Sequence, residues 1–126
     1  MTAGTSYSDS FKVTRHGDIA VITPSPEVES MNEAVIQQAA QMVIDTLKSD
    51  PPAGIVIDLS QVSYFGSVFL SFLLRCHMRA RQQGSEIVLA GTSDRVRELL
   101  RLTALDTLWA LYKTRAEAME ALAGSD

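Results

Sequence analysis

The fold is decided by residues 54–74, GIVIDLSQVSYFGSVFLSFLL. Residues 55–57 form a continuous apolar run, which is typical of a strand covered on both faces, and Asp58 ends that run. In the second half of the stretch, apolar side chains recur at helical intervals instead. The stretch therefore predicts a strand, a turn and a helix, with Gly66 and Ser67 at the mouth of the helix as the candidate functional site.

The segments around this unit alternate between strand and helix patterns. Residues 11–22 predict a β-hairpin, because two alternating runs flank a turn at His16, Gly17 and Asp18. The later predicted elements are a helix opened by a capping box at Ser30–Glu33, a glycine stop at Gly84, a strand at residues 86–91, a short helix capped by residues 92–94, a strand at residues 108–112 and a closing helix opened by a capping box at Thr114–Glu117. The predicted class is α/β, with a mixed, largely parallel sheet, the hairpin as its antiparallel opening edge and about four helices packed on it.

The length of 126 residues fits one domain. Residues 1–10 are small and polar and predict a flexible N-terminal tail, because nothing there can bury a face. We expect the domain to span residues 11–123 and a short C-terminal tail to follow at residues 124–126.

Composition limits the partners that the chain can take. The net charge is −4 and the isoelectric point is about 5.1, so there is no basic stripe to neutralise nucleic-acid phosphates. The longest uncharged segment, residues 59–74, has 16 residues, whereas a membrane-spanning helix needs about 20 apolar ones. The single cysteine and the lack of a signal-like N-terminus predict a reducing, cytoplasmic location.

Four segments resemble the STAS domain of bacterial anti-sigma factor antagonists. These are residues 56–62, 84–91, 96–106 and 114–118, and the resemblance extends over Phe11 to Leu122. In that family a hydroxyl residue at the start of a helix is phosphorylated by a partner anti-sigma factor that is an ATP-dependent serine kinase. Ser67 takes that place here, whereas Gly66 replaces the family's aspartate, Val68 replaces its second hydroxyl residue and Phe69 replaces a usually small one.

The resemblance implies a regulatory protein that binds its anti-sigma factor when unphosphorylated and releases it when Ser67 carries phosphate. It implies no enzymatic activity and no cofactor of its own, because the kinase supplies the ATP, and it leaves a homodimer open. The implied partner-binding residues are Asp58, Ser60, Phe65, Gly66, Ser67, Val68 and Phe69. Gly66 favours the alternative, a phosphorylation-independent STAS adaptor in a transport or signalling complex.

The residues themselves leave the roles of Ser67 and of the two phenylalanines open. Ser67 suits a phosphate because a helix N-terminus stabilises an anion, but the same serine can simply be an N-cap. Phe65 and Phe69 give a docking surface an apolar centre if they are exposed, or belong to the core if they are not. Asp58 is best interpreted as a turn or cap carboxylate.

Other chemistries lack the residues that they need. A hydrolase would require a base near Ser67, but His77 lies ten residues further on, about 15 Å along the same helix. His16 and His77 are therefore interpreted as structural or solvated side chains. Cys76 beside His77 has no further ligand at zinc spacing, so no metal site is expected.

Overall fold

The computed structural model describes residues 5–7, 11–29 and 32–124 and contains one six-stranded sheet with strand order β1-β2-β3-β4-β5-β6. The strands are β1 (Thr5–Tyr7), β2 (Phe11–His16), β3 (Ile19–Pro24), β4 (Gly54–Asp58), β5 (Glu86–Ala90) and β6 (Leu111–Tyr112). The helices are α1 (Glu33–Ser49), α2 (Ser67–Gln83), α3 (Asp94–Leu102) and α4 (Arg115–Ala123), with 3-10 turns at Pro26–Glu29 and Leu105–Thr107.

The sheet is mixed, as the sequence predicts. Strands β1, β2 and β3 pair antiparallel, whereas β3, β4, β5 and β6 pair parallel. Gly17, with φ of 62°, forms the turn of the predicted β2–β3 hairpin, because a left-handed backbone costs glycine little. The parallel part requires crossovers, and α1, α2 and α3 provide them.

Both faces of the central strands are buried, which explains the continuous apolar run in β4. Ile55 and Ile57 point into the larger core with the buried sides of α1, α2 and α3, whereas Val56 points into a smaller core with Ala118 of α4. The long helices and α4 therefore cover opposite faces of the sheet. The ends of β3, β4 and β5 are held at fixed positions by this double burial.

The start of α1 was predicted at a capping box whose first residue, Ser30, lies outside the described residues. The structure places Asn32 at the N-cap, where its side chain accepts a hydrogen bond from the Val35 N–H at 3.0 Å. At the other predicted capping box, Thr114 accepts from the Glu117 N–H at 3.1 Å, and Gly84 ends α2 with φ of 74°. The predicted cap of α4 and the glycine stop of α2 are confirmed.

Two predictions about strands differ from the structure. Thr5–Tyr7, within the predicted tail, pairs with β2, so β1 and not the hairpin forms the edge of the sheet. A short polar segment can join an edge because backbone hydrogen bonds alone define the pairing. The last strand was predicted over residues 108–112, but only Leu111–Tyr112 pair with β5.

Candidate functional site

The β4–α2 loop, residues 59–66, lies at the carboxyl end of the parallel strands. Leu59 donates its backbone N–H to the Ala90 carbonyl at 2.8 Å, which fixes the start of the loop to the end of β5. The side chains of Leu59, Val62 and Phe65 are buried, and the residues between them are exposed. The backbone hydrogen bond and the three buried side chains therefore hold the loop against the core, and its outer surface is mainly polar.

Ser67 is the first residue of α2, and its side chain is exposed. Gly66 occupies the N-cap in an extended conformation and has no side chain to satisfy the first N–H groups of the helix. The interpretation of Ser67 as an N-cap is therefore wrong, because the helix begins at Ser67 itself, one residue earlier than that role requires. The result is an exposed hydroxyl beside a helix N-terminus whose N–H groups have no side-chain cap.

Asp58 is buried, with 4% of its surface exposed, and its carboxylate binds other residues of the same chain. Its Oδ1 accepts from the Ser60 backbone N–H at 3.0 Å, which confirms the interpretation as a turn carboxylate. Its Oδ2 accepts from Arg115 Nε at 2.9 Å and forms an ion pair with Nη2 at 2.8 Å. Arg115 also donates to Thr23 Oγ1 at 3.1 Å, so one guanidinium joins the ends of β3, β4 and α4.

Gly91 lies directly beneath the Asp58 turn. Its φ is 71°, and a Cβ added there would lie 2.9 Å from Ser60 Cβ and 3.0 Å from Asp58 Oδ1. Only glycine combines this backbone conformation with such a close approach. Gly91 therefore allows the loop to pack closely against the end of β5.

The two phenylalanines of the predicted site face the core. Phe65 is 6% exposed and Phe69 is 1% exposed, with ring centroids 5.3 Å apart, so the alternative of an exposed aromatic pair is wrong. The exposed aromatic of this region is Tyr64, which is 42% exposed and lies 4.7 Å below the Arg95 guanidinium carbon. Such a cation–π contact stabilises the position of the ring on the outer surface.

Glu29 fastens the middle of the loop from the 3-10 turn before α1. Its Oε2 accepts from the Ser63 backbone N–H at 3.0 Å and from the Ser63 hydroxyl at 2.9 Å. Both hydrogen bonds hold the pKa of the Glu29 carboxyl below its ordinary value, because they stabilise the charged form. The hydrogen bond from the Ser63 backbone N–H has the larger effect on this pKa. The loop is thus tied at Asp58 and at Ser63.

Of the seven predicted partner-binding residues, the structure brings four together on the surface and places three beneath it. Ser60, Gly66 and Ser67 are exposed and Val68 is half-buried, whereas Asp58, Phe65 and Phe69 are buried. The sequence did not identify Arg115, Glu29 or Arg95, because each lies far along the chain from the residue that it contacts. An arginine directly after a predicted helix cap was the only signal available for Arg115.

The remaining reactive side chains have structural partners. Trp109 Nε1 donates to His77 Nδ1 at 3.1 Å, and His16 is hydrogen-bonded to Thr14 at 3.0 Å. Burial raises the pKa of the Cys76 thiol to about 12, so it stays protonated and unreactive at neutral pH. Within the described residues, no group of three or more histidine, cysteine or acidic side chains could hold a metal ion.

Over the same described ranges, none of the helices combines the length and the apolar character that crossing a membrane demands.

Sequence and structure comparisons place this geometry among known proteins. The STAS domain family model matches residues 10–118. The anti-sigma-F factor antagonist RsfB of Mycobacterium tuberculosis is 31% identical over 121 residues, which cover 94% of this chain and 95% of that protein. The solved structure of an anti-sigma-factor antagonist (STAS) domain protein from Planctomyces limnophilus is 29% identical with a TM-score of 0.79, covering 90% of this chain and 98% of that one.

A third relative extends the likeness in fold. The anti-sigma factor antagonist SpoIIAA in its unphosphorylated form is 16% identical with a TM-score of 0.77, covering 93% of this chain and 99% of that one. At that identity the likeness concerns the fold alone. From the family model, the relative in M. tuberculosis and the shared architecture, it follows that this chain belongs to the STAS domain family.

Proposed function

We propose that this protein is an anti-sigma factor antagonist that binds an anti-sigma factor through the surface around Ser67. The observation that carries the proposal is the exposed Ser67 hydroxyl at the uncapped start of α2, in a chain 31% identical to an antagonist over nearly its whole length. The protein acts by binding and not by catalysis. Its place of action is the cytoplasm, where anti-sigma factors and sigma factors meet.

The switch in this proposal is phosphorylation of Ser67 by an anti-sigma factor of the serine-kinase type. The kinase transfers the γ-phosphoryl group of ATP to the Ser67 oxygen, which loses its proton, and ADP leaves. The phosphate adds a charge of about −1.5 to −2, and the open N–H groups and the helix dipole of α2 stabilise it. The fold tolerates the modification, whereas a partner surface that covers Ser67 is repelled.

The loop contributes by keeping this surface in one shape. Asp58 and Glu29 anchor it at two points, and Phe65 fills the core beneath it. A surface that is already ordered loses little conformational entropy when a partner docks. The kinase therefore meets the Ser67 hydroxyl at a fixed position.

The test uses the anti-sigma factor kinases encoded in the same genome. We expect unmodified protein and Ser67→Ala to bind one of them with similar affinity, and Ser67→Asp to bind at least about tenfold more weakly, since charge repulsion and desolvation oppose docking. Ser49, which is exposed at the last residue of α1 and lies outside the surface around Ser67, provides the matched control variants Ser49→Ala and Ser49→Asp. Binding is measured by isothermal titration calorimetry.

Incubation with ATP and the kinase, followed by intact-mass analysis, tests the modification directly. We expect one added phosphate on the wild type and on Ser49→Ala, and none on Ser67→Ala. If Ser67→Asp binds as tightly as the wild type and no phosphate is added, the switch is disproved.

Gly66 favours a second candidate, a STAS adaptor that binds its partner without being phosphorylated. The family's aspartate before the phosphorylated residue is absent, so a kinase that requires this carboxylate would pass over Ser67. In that case Gly66→Asp gains phosphate in the intact-mass assay while the wild type does not. The backbone tolerates the change, because a Cβ at Gly66 would meet no atom within 4 Å.

A further inference from the structure

The outward side of α2 carries an uncharged row that continues well beyond Ser67. Ser71, Leu74 and Met78 follow Ser67 at helical spacing, with Leu74 37% exposed and Met78 61% exposed. The row extends about 16 Å from Ser67, at about 1.5 Å per residue. Two large apolar side chains on one exposed helix ridge form a surface that a partner can cover.

The charges on α2 are all of one sign. The helix contains Arg75, Arg79 and Arg81 and no acidic residue, although the whole chain has a net charge of −4. Among the described residues none of these three arginines forms an ion pair, whereas Arg15, Arg97, Arg101 and Arg115 all do. The Arg79 Nε atom is buried without a hydrogen-bond partner from the described part of the chain.

A cleft of about 170 Å³ runs beside this row, between α1 and α2. Its lining is mainly apolar at the floor and polar at the rim, and consists of Ile36, Gln37, Ala40, Val68, Ser71, Phe72 and Arg75. Arg75 crosses the cleft and donates to Gln41 Oε1 at 2.5 Å, which leaves its positive charge unneutralised. The cleft offers a pocket for an apolar anchor next to a free cation.

We propose that the outward face of α2, from Ser71 to Met78 with the adjoining cleft, docks an acidic amphipathic helix of a partner protein. Apolar anchors of that helix cover Leu74 and Met78, and its acidic flanks pair with the three arginines. The identification of the partner as an anti-sigma factor rests on the proposed function, but the chemistry of the docked segment does not. This surface adds a second area of contact that phosphorylation of Ser67 leaves in place.

A designed peptide tests the chemistry without knowledge of the partner. The peptide has about 18 residues, long enough to form a helix, with leucines at helical spacing and glutamates beside them. A scrambled peptide of the same composition is its control. We expect fluorescence anisotropy to show binding of the designed peptide only, with a loss of affinity as salt rises from about 0.05 M to about 0.5 M.

Matched variants locate the binding surface. We expect Arg75→Gln with Arg81→Gln to weaken peptide binding about tenfold, and Lys12→Gln with Lys113→Gln, which remove the same charge elsewhere, to change it less than twofold. Met78→Ser should weaken binding similarly, while Met42→Ser, at an exposed methionine on α1, should not. Circular dichroism and thermal melting confirm that each variant is folded, and Arg79 with its buried Nε is left unchanged.

Several outcomes overturn the proposal. They are equal binding of both peptides, equal losses in the test and control variants, preferential binding to phosphatidylglycerol vesicles, or a Met78-dependent dimer in sedimentation experiments. If a cognate anti-sigma factor binds the wild type and Met78→Ser equally, this inference fails and the proposed function stands. If no anti-sigma factor binds but the peptide results hold, the proposed function fails and this inference stands.

Discussion

The guanidinium of Arg115, the first residue of α4, holds the buried carboxylate of Asp58 at the end of β4, with Nη2 and Oδ2 2.8 Å apart. The same carboxylate accepts a hydrogen bond from the Ser60 backbone N–H. The conformation at the start of the β4–α2 loop is therefore stabilised by a helix 57 residues further along the chain.

Arg115→Leu should destabilise the protein by about 1–3 kcal/mol, because it leaves the buried Asp58 carboxylate without its cation. The half-exposed position of Arg115 keeps the effect below that of a fully buried pair. Urea unfolding measures the change. Arg97→Leu is the control, since its partner Asp94 is exposed and the loss should stay within about 0.5 kcal/mol. Equal losses in the free energy of unfolding for the two substitutions would show that the burial of Asp58 does not strengthen its ion pair.

Gly91→Ala should cost more stability than Gly17→Ala, although both glycines have a positive φ. At Gly17 the new methyl group meets nothing within 4 Å, so only the left-handed backbone is penalised, by about 1 kcal/mol. At Gly91 the methyl group also presses on Ser60 and Asp58. Thermal unfolding of both variants gives the difference, and a smaller loss at Gly91 would contradict the close approach.

The stabilisation that the hydrogen bonds between Glu29 and Ser63 provide should depend on pH. The pKa of Glu29 is lowered in the folded state, so its stabilising effect is fully present above the unfolded-state pKa and is lost as pH falls through the folded-state pKa. We therefore expect Glu29→Gln to be less stable than the wild type at pH 7, with the gap closing below about pH 4. Chemical unfolding at a series of pH values measures the gap. A gap that stays constant down to pH 3 would exclude the carboxylate as its cause.

The hydrogen bond from Trp109 to His77 gives a spectroscopic probe of the region between α2 and the segment before β6. His77→Ala should cost about 1–3 kcal/mol, because the buried indole N–H loses its acceptor. The emission of Trp109, the single tryptophan, should shift as water replaces the imidazole. His16→Ala, at an exposed position of the hairpin, should leave both the emission and the stability nearly unchanged. An unshifted spectrum in His77→Ala would contradict the contact.

The sequence predicted the strand, turn and helix around Gly54 to Leu74 because local periodicity controls those elements. It did not predict the contacts of Asp58 with Arg115 or of Ser63 with Glu29, since pairs so far apart in the chain leave no periodic signal. The burial of Phe65 was equally undetermined, because alternate loop residues can point either way until the core beneath them is known.

The N-terminal strand shows a different limit. Thr5–Tyr7 joins the sheet through its backbone, and a polar tripeptide gives no sign of that pairing. The position of Ser67 in α2 was predicted to within one residue. That one residue is the difference between the N-cap and the first helical residue. Helix boundaries are commonly uncertain by that much in sequence-based assignment.

The strands lie in the sheet in the same order as in the chain, so each new strand emerging from a ribosome can pair with the one made just before it. Arg115 nevertheless follows all six strands of this sheet in the chain, and the turn that leads to Ser67 lacks its ion pair until that residue has been made. A nascent or truncated chain that stops before Arg115 thus carries Ser67 without the contact that holds Asp58. The loop before Ser67 is therefore completed only after the sheet beneath it.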